Sequence, residues 1–277
     1  MTASIASCLD RHRELAEVSQ SSRLDLELLL AAALGKSRTY LRTDADAPLS
    51  PAQEQHFNAL FQRRLAGEPI AYILQSQEFW SMEFKVTPDV LIPRADTETL
   101  VDAALQCLDS RPDAKTVLEL GTGSGCISIA LKSERPELCV TASDLSAAAL
   151  AIARSNAEKL LNGRAICFVQ SDWFDSINDR YDLIISNPPY IPYDDPHLAA
   201  LGFEPESALV AADSGLACLL TIIQQSKAHL KDNGMLLLEH GYDQGPAIVD
   251  KLHESAYQRI RPHYDLANIH RATSAAV

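Results

Sequence analysis

Asn187-Pro188-Pro189-Tyr190 closes a strand-like run, Tyr181-Asp-Leu-Ile-Ile-Ser186, and its residue types suit the handling of an amide or amino nitrogen. The asparagine side chain offers a carbonyl acceptor. A residue that precedes proline is driven toward extended backbone, so the carbonyls of Asn187 and Pro188 are held in fixed directions. Neither proline has an N–H for a sheet ladder, so the strand must stop here. The Asn187 side-chain oxygen and a neighbouring backbone oxygen can together accept both hydrogens of a planar NH2 group, while Tyr190 lies against its flat face. Asn-Pro also starts ordinary turns, and the four residues alone fit that as well.

Other candidates fall where open α/β sheets place their ligands, at the carboxyl ends of strands. The apolar run Thr116–Leu120 leads into Gly121-Thr122-Gly123-Ser124-Gly125, which lets the backbone turn tightly and approach a ligand, and a helix follows from Cys126 to Leu131. Asp144, 23 residues after the first glycine, suits a ribose diol. This much fits a nicotinamide dinucleotide or a plain tight turn too. Against the dinucleotide, Cys126 stands where a glycine-like residue is wanted, and the Glu119 carboxylate sits near a place that should welcome pyrophosphate. The amino and sulfonium groups of S-adenosylmethionine suit Glu119 better, although a solvated strand end explains that residue equally well. Asp172 and Trp173 can bracket an adenine, edge and face, or be a helix cap and a core tryptophan.

The elements that position these residues read as strand, glycine turn, helix, strand from Thr116 onward. Strands are expected at Leu138–Ser143, Ala165–Gln170, Tyr181–Ser186 and Met235–Glu239, and helices at Ser146–Leu161, Ser214–Leu230 and Gln244–Ser255. One or two closing strands fit the last 20 residues. Before them, Arg94-Ala-Asp-Thr-Glu-Thr-Leu100 opens a helix with acids and hydroxyls that can reach a ligand. Residues 1–75 read as helices: Ser4–Ser19, a run capped at Ser22 and stopped by Gly35, and a third that Ser50-Pro51-Ala52-Gln53 starts. They carry no catalytic constellation, which leaves a recognition module or a packing cap. Residues 76–93 read as a hairpin linker punctuated at Pro88-Asp89.

Composition bounds the rest. The formal net charge is −13, unevenly placed: residues 1–75 hold 8 Lys/Arg against 9 Asp/Glu, and the remainder 16 against 28. Such a field disfavours a nucleic-acid substrate and suits a basic protein partner. The six cysteines form no C-x-x-C pair and are expected to be reduced and mostly buried, and no metal site is signalled. With no apolar leader and no membrane-length run, a cytoplasmic location is expected.

Taken together, the chain resembles the peptide chain release factor N5-glutamine methyltransferases of the HemK/PrmC type over nearly its whole length. The resemblance rests on Gly67-Glu-Pro-Ile-Ala-Tyr-Ile73, Phe79-Trp80, Val90-Leu-Ile-Pro-Arg94 with Asp96-Thr-Glu98, Glu119 through Cys126, Asn187-Pro-Pro-Tyr-Ile191, and Glu204-Pro with Ala208-Leu. Ala95 stands where that family usually has proline, Gln75 where glycine is common, and Ala211-Ala212 where a glycine is usual. The resemblance implies a Rossmann-like class I methyltransferase domain over 94–277 with a seven-stranded sheet, and a helical substrate-recognition domain over 1–75. It implies methyl transfer from S-adenosylmethionine to the glutamine amide of the Gly-Gly-Gln motif of class 1 release factors. It further implies cofactor contacts from Glu119, Gly121, Thr122, Gly123, Ser124, Gly125, Asp144, Asp172, Trp173 and Asn187, and substrate contacts from Asn187, Pro188, Pro189 and Tyr190. Asn187, Pro188 and Tyr190 are expected to carry the catalysis. Amino-methylating enzymes acting on adenine or cytosine share Asn-Pro-Pro-Tyr and are the rival reading. A non-enzymatic scaffold would be expected to have lost Asn187 or the glycines.

Overall fold

The computed structural model describes residues 3–277, and the chain divides into two compact units, the first ending at Ser76 and the second running from Gln77 to Val277. The first is helical: α1 (Ile5–Leu9), a 3-10 turn over Asp10–Leu15, α2 (Ser22–Leu34), α3 (Arg38–Thr43), α4 (Pro51–Leu65) and α5 (Ile70–Leu74). Leu26, Leu29, Leu30 and Ala33 recur at helical spacing on α2 and bury with Leu15, Phe57 and Phe61. At the start of α4, Ser50 and Gln53 cap each other's backbone N–H with Pro51 in the first turn, as expected. Ser22, by contrast, is the first helical residue of α2 and not its cap. Ser21 holds the cap position and its hydroxyl donates to Asp25, which also accepts from Arg64 at 2.7 Å. The single helix expected over Ser4–Ser19 is broken after Leu9, because Leu9 is only half-buried and Val18 is exposed, leaving no continuous apolar face to hold it.

A hairpin opens the second unit, its first strand β1 (Ser76–Phe79) starting at the boundary residue and its second being β2 (Met82–Lys85). Its turn is Trp80-Ser81, both at positive φ as a two-residue hairpin turn of the type I′ kind requires, and not the expected Pro88-Asp89. Phe79 and Phe84 meet edge to face and bury against Leu100 and Ala104, so the hairpin belongs to the core of this unit, and the chain over 86–93 carries no strand.

The main sheet has seven strands: β3 (Thr116–Leu120), β4 (Cys139–Asp144), β5 (Cys167–Gln170), β6 (Tyr181–Ser186), β7 (Leu230–Glu239), β8 (Gln258–Tyr264) and β9 (His270–Ala276), in the order β5-β4-β3-β6-β7-β9-β8. The first five of that order are parallel, and β9 runs antiparallel to both its neighbours. Helices α6 (Glu98–Asp109), α7 (Cys126–Glu134) and α8 (Ala147–Leu160) cover one face, and α9 (Ala217–Ser226) and α10 (Gly245–Glu254) the other. On β6, Leu183 and Ile185 turn to the first core and Ile184 to the second, which is why that run is apolar throughout. The strand expected from Met235 starts earlier, at Leu230: Tyr181 pairs with Leu230 and Leu183 with Met235, so the residues between, Asn233-Gly234 among them, are looped out. Three of the six cysteines are buried, while Cys139 and Cys167 are exposed and Cys218 is half-exposed, fewer buried than expected. Among the described residues no helix is long and apolar enough to cross a membrane.

Register decides where the site falls. Leu120 lies level with Ser143 on one side and Ser186 on the other, so the next residues, Gly121, Asp144 and Asn187, emerge together at one edge of the sheet. The order turns back at β3, which places the crevice there.

Candidate active site

At that edge a cavity of about 490 Å³ is lined by Gly121, Gly123, Asp144, Asp172, Trp173, Asn187 and Pro189, with Val90 and Leu91 from the segment after the hairpin. A second cavity of about 200 Å³ is lined by Asn187, Pro188, Tyr190, Arg94, Leu91 and Leu201 among others. Asn187, Leu91 and Ala208 line both, so Asn187 stands where the two spaces meet.

The glycine turn splits into two roles. Gly121 and Gly123 line the larger cavity, both with left-handed backbone. Gly125, also left-handed, faces inward, where an added Cβ would lie 3.1 Å from Ala153 Cβ and Ile129 Cδ1, so its lack of a side chain relieves crowding between α7 and α8. Thr122 and Ser124 are buried and do not line the cavity. Asp144 holds the turn in place, accepting from Gly123 N–H and Ser146 N–H at 2.8 Å each. Burial raises its pKa and these N–H donors partly offset that.

Glu119 is not at a solvated strand end, nor does it line the cavity. It is 1% exposed and lies behind the turn, where one oxygen, Oε2, accepts from Thr122 Oγ1 at 2.7 Å and from the Ser128 amide and hydroxyl. Its other oxygen, Oε1, has no hydrogen-bond partner among the described residues. Desolvation pushes its pKa up to about 7 against those donors, with Asp144 adding to the rise. Asp172 is exposed and Trp173 half-buried, and no helix follows them to be capped. Ser171 Oγ donates to the Trp173 carbonyl and accepts from Ser176 N–H, fixing this turn with Trp173 at positive φ.

Asn187 is oriented by a residue far away in sequence. Its Nδ2 donates to Thr97 Oγ1 at 3.1 Å, and Oδ1 has no protein partner among the described residues. Thr97 in turn donates to Glu239 Oε1 at 3.2 Å, and the Tyr190 hydroxyl donates to the same oxygen at 3.3 Å. Tyr190 is therefore anchored at its phenol end while its ring lines the smaller cavity. Desolvation, then the charge of Glu239, holds the Tyr190 phenol far above its usual range. The backbone after Pro189 is fixed as well, since Gln244 Nε2 donates to the Tyr190 carbonyl at 3.0 Å. Next to Arg94, which lines the smaller cavity, Glu204 accepts from Ile92 N–H at 3.0 Å and from the Arg94 guanidinium. Glu239 and Gln244 are site residues that no local sequence pattern marks, whereas Thr97 belongs to the acid- and hydroxyl-rich helix start expected to reach a ligand and Leu91 to the Val90–Arg94 motif.

Similarity to known proteins agrees with this arrangement. The N-terminal domain model described as "PrmC N-terminal domain" matches residues 12–74, and "Methyltransferase small domain" matches 96–200. The chain is 46% identical over 268 residues to the release factor glutamine methyltransferase of Burkholderia pseudomallei (strain K96243), covering 94% of each. This chain belongs to the release factor glutamine methyltransferase family. The family's enzyme from Pseudomonas aeruginosa (strain PAO1) is likewise 46% identical, over 92% of each chain. A methyltransferase structure from Pyrococcus furiosus shares the fold with a TM-score of 0.53 at 15% identity, over 80% of this chain and 98% of that one. The chain is thus a Rossmann-like methyltransferase. Against the family's habit of glycine, Gln75 caps α5 with φ +54, the left-handed backbone that glycine adopts without cost.

Proposed function

We propose that this enzyme transfers the methyl group of S-adenosylmethionine to the side-chain amide nitrogen, N5, of the glutamine in the Gly-Gly-Gln motif of class 1 release factors. The observation that carries the reading is Asn187 at the junction of two cavities with its NH2 end tied to Thr97. That tie leaves the carbonyl end for a substrate that brings N–H donors.

The residues fit the cofactor. The larger cavity combines a close backbone approach at Gly121 and Gly123, the Asp144 carboxylate for a ribose diol, and the Asp172-Trp173 pair for an adenine edge and face. Behind the turn and outside the cavity lining, Glu119 keeps one buried carboxylate oxygen, Oε1, without a hydrogen-bond partner among the described residues, an acceptor suited to a cationic amino acid head. When bound, S-adenosylmethionine supplies an electrophilic methyl on a sulfonium. Asn187 Oδ1 and the Pro188 carbonyl accept the two hydrogens of the glutamine NH2, which turns the nitrogen toward that methyl. They also favour the positive charge that develops on nitrogen, whose lone pair is otherwise delocalised. The residues lining the smaller cavity include no carboxylate and no imidazole to take the displaced proton, which passes to water.

The helical unit over residues 1–75 recognises the release factor in this reading, and the enzyme works in the cytoplasm where its substrate acts on ribosomes. Transfer of labelled methyl to purified release factor tests the reading. Label should enter wild-type factor and be absent from factor with the motif glutamine replaced, from duplex DNA and from single-stranded DNA. Label in DNA, or in the glutamine-replaced factor at the wild-type rate, would contradict it. A chain beginning at Gln77 should bind cofactor and fail to label the factor; equal labelling would remove the helical unit from recognition.

A further inference from the structure

We propose that Thr97 and Glu239 decide which end of the Asn187 amide faces the substrate, and are therefore positioning residues for methyl transfer. The inference rests on the glutamine-methylation reading for its kinetic consequences, though not for its structural one.

The two ends of an asparagine amide have the same shape and opposite hydrogen-bonding character. If Asn187 were turned over, its NH2 would oppose the NH2 of the substrate and no clamp would form. Nothing within the Asn-Pro-Pro-Tyr run prevents that. The selection comes from Thr97 Oγ1, which lies 3.1 Å from Asn187 Nδ2 and 3.2 Å from Glu239 Oε1. A hydroxyl has a single proton to give. An ionised Glu239 can only accept, so it takes the Thr97 proton, and Thr97 then presents lone pairs to Asn187. Only the NH2 end of the amide satisfies them. A protonated Glu239 can instead donate, which frees the Thr97 proton to point at Asn187 and stabilises the reversed amide. The three residues form a directional relay whose sense follows the charge on Glu239.

The surroundings of Glu239 make that charge changeable. It is 2% exposed, and its Oε2 has no hydrogen-bond partner among the described residues. Facing it are Thr97 and Asp96 from the 3-10 turn before α6, Tyr190 from the segment after β6, Arg271 from β9 and Cys126 from the start of α7; His240 follows it in the chain. Arg271, the cation among these, is shared between Asp96 at 2.8 Å and Asp265 at 3.0 Å. Burial pushes the Glu239 carboxyl up to about 7 and Asp96 adds to the rise, while Thr97, Tyr190 and Arg271 oppose it. His240, whose pKa is lowered to about 4, stays neutral through the same range.

The test uses the full chain with purified release factor, in single turnovers at saturating cofactor, over a range of about pH 5.5 to about 8.5. The wild-type rate should rise about tenfold per pH unit below neutrality and level off above it. Thr97→Val keeps the shape and removes the hydroxyl; it should slow transfer by about 10²-fold while cofactor affinity holds, and Thr97→Ser should recover the rate to within about threefold. Glu239→Gln should flatten the pH profile. A Thr97→Val rate within about threefold of wild type, failure of serine to rescue, or an unchanged pH limb in Glu239→Gln would each overturn the proposal. If the wild-type enzyme labels no release factor, the functional reading fails and this inference is decided by NMR. The side-chain NH2 pair of Asn187, assigned by its loss in Asn187→Ala, should shift with a midpoint near neutrality in the wild type and not in Glu239→Gln. A pair indifferent to pH in both would overturn it.

Discussion

The Arg94 guanidinium grips the Glu204 carboxylate and joins the segment before α6 to the loop after β6, and both segments contribute residues to the lining of the smaller cavity. Glu204 is buried and spends its second oxygen on Ile92 N–H, whereas Arg94 keeps part of its surface in water. The pair is in effect a buckle on the loop. Its downstream end is held by Ile191 and Val210, which bridge as a single parallel pair.

Arg94→Ala should release that loop while leaving Glu204 buried with one partner fewer. A loss of about 1.5–3 kcal/mol is expected, at the lower end because Arg94 is partly exposed. Hydrogen exchange checks it directly: the amides of Leu209, Val210 and Ala211 should exchange faster and those of β3 should not. Unchanged protection at Ala211 would mean that the loop is held by other contacts.

Glu119 carries a pH-dependent cost. Its pKa is about 7 in the folded chain against an ordinary value of 4.5, so between those pH values the folded state binds more protons than the unfolded one. Stability therefore falls as pH rises through that window, and Glu239 acts in the same sense. Asp182 opposes them at the acid end: against the rise from burial, the Lys115 and Thr116 amides and then Lys231 hold its carboxyl well below the usual range, so its contribution is present above that range and lost as pH falls through it. Glu119→Gln keeps an acceptor for Thr122 and Ser128 and should stabilise the chain at about pH 8 by up to about 3 kcal/mol, with little change near pH 5. Calorimetric titration should show weaker cofactor binding in the same variant. A melting temperature at about pH 8 that is no higher than wild type would contradict the assignment.

Asp144→Ala should weaken S-adenosylmethionine by about 1.5–3 kcal/mol, since it removes both a ribose acceptor and the anchor of the Gly123 amide. Calorimetric titration measures it. An unchanged dissociation constant would take Asp144 out of the site.

Gly215 is a site determinant without lining either cavity. At φ +84, a Cβ there would stand 2.1 Å from the Tyr190 carbonyl oxygen and 2.7 Å from Gln244 Nε2. Gly215→Ala should displace the Tyr190 backbone, cost about 2–4 kcal/mol in denaturant unfolding, and slow transfer more than it weakens cofactor binding. A fully active, equally stable alanine variant would show that the chain relaxes elsewhere.

Legibility in the sequence followed the range of the interaction. The strands β3, β4 and β6, the glycine turn, Asp144 and Asn187 announce themselves because glycine, the residue before proline and an apolar run act within a few neighbours. Thr97, Glu239, Glu204 and Gly215 do not, because each draws its role from a contact with a distant part of the chain, 142 residues away for Thr97 and Glu239. Glu119 is legible as a carboxylate beside the glycine turn, but its burial is not, since Thr122 and Ser128 draw it inward only in the folded turn. The hairpin is legible in the sequence, and the position of its turn is not. Pro88-Asp89 is the stronger local signal, yet the turn forms at Trp80-Ser81, where Trp80 donates from its backbone to Glu98 and from its indole to Glu134.

The central claim is that Asn187 is an acceptor aimed at a substrate NH2, and single-turnover transfer by Asn187→Ala at saturating cofactor measures it. With one of two acceptors removed, the rate should fall roughly 10²- to 10³-fold while the melting temperature stays close to wild type. Asn187→Asp, which keeps an acceptor in place at the cost of a buried charge, should retain part of the rate. An Asn187→Ala rate within about threefold of wild type, under roughly 1 kcal/mol of barrier, would contradict the claim and return Asn187 to the role of a turn residue.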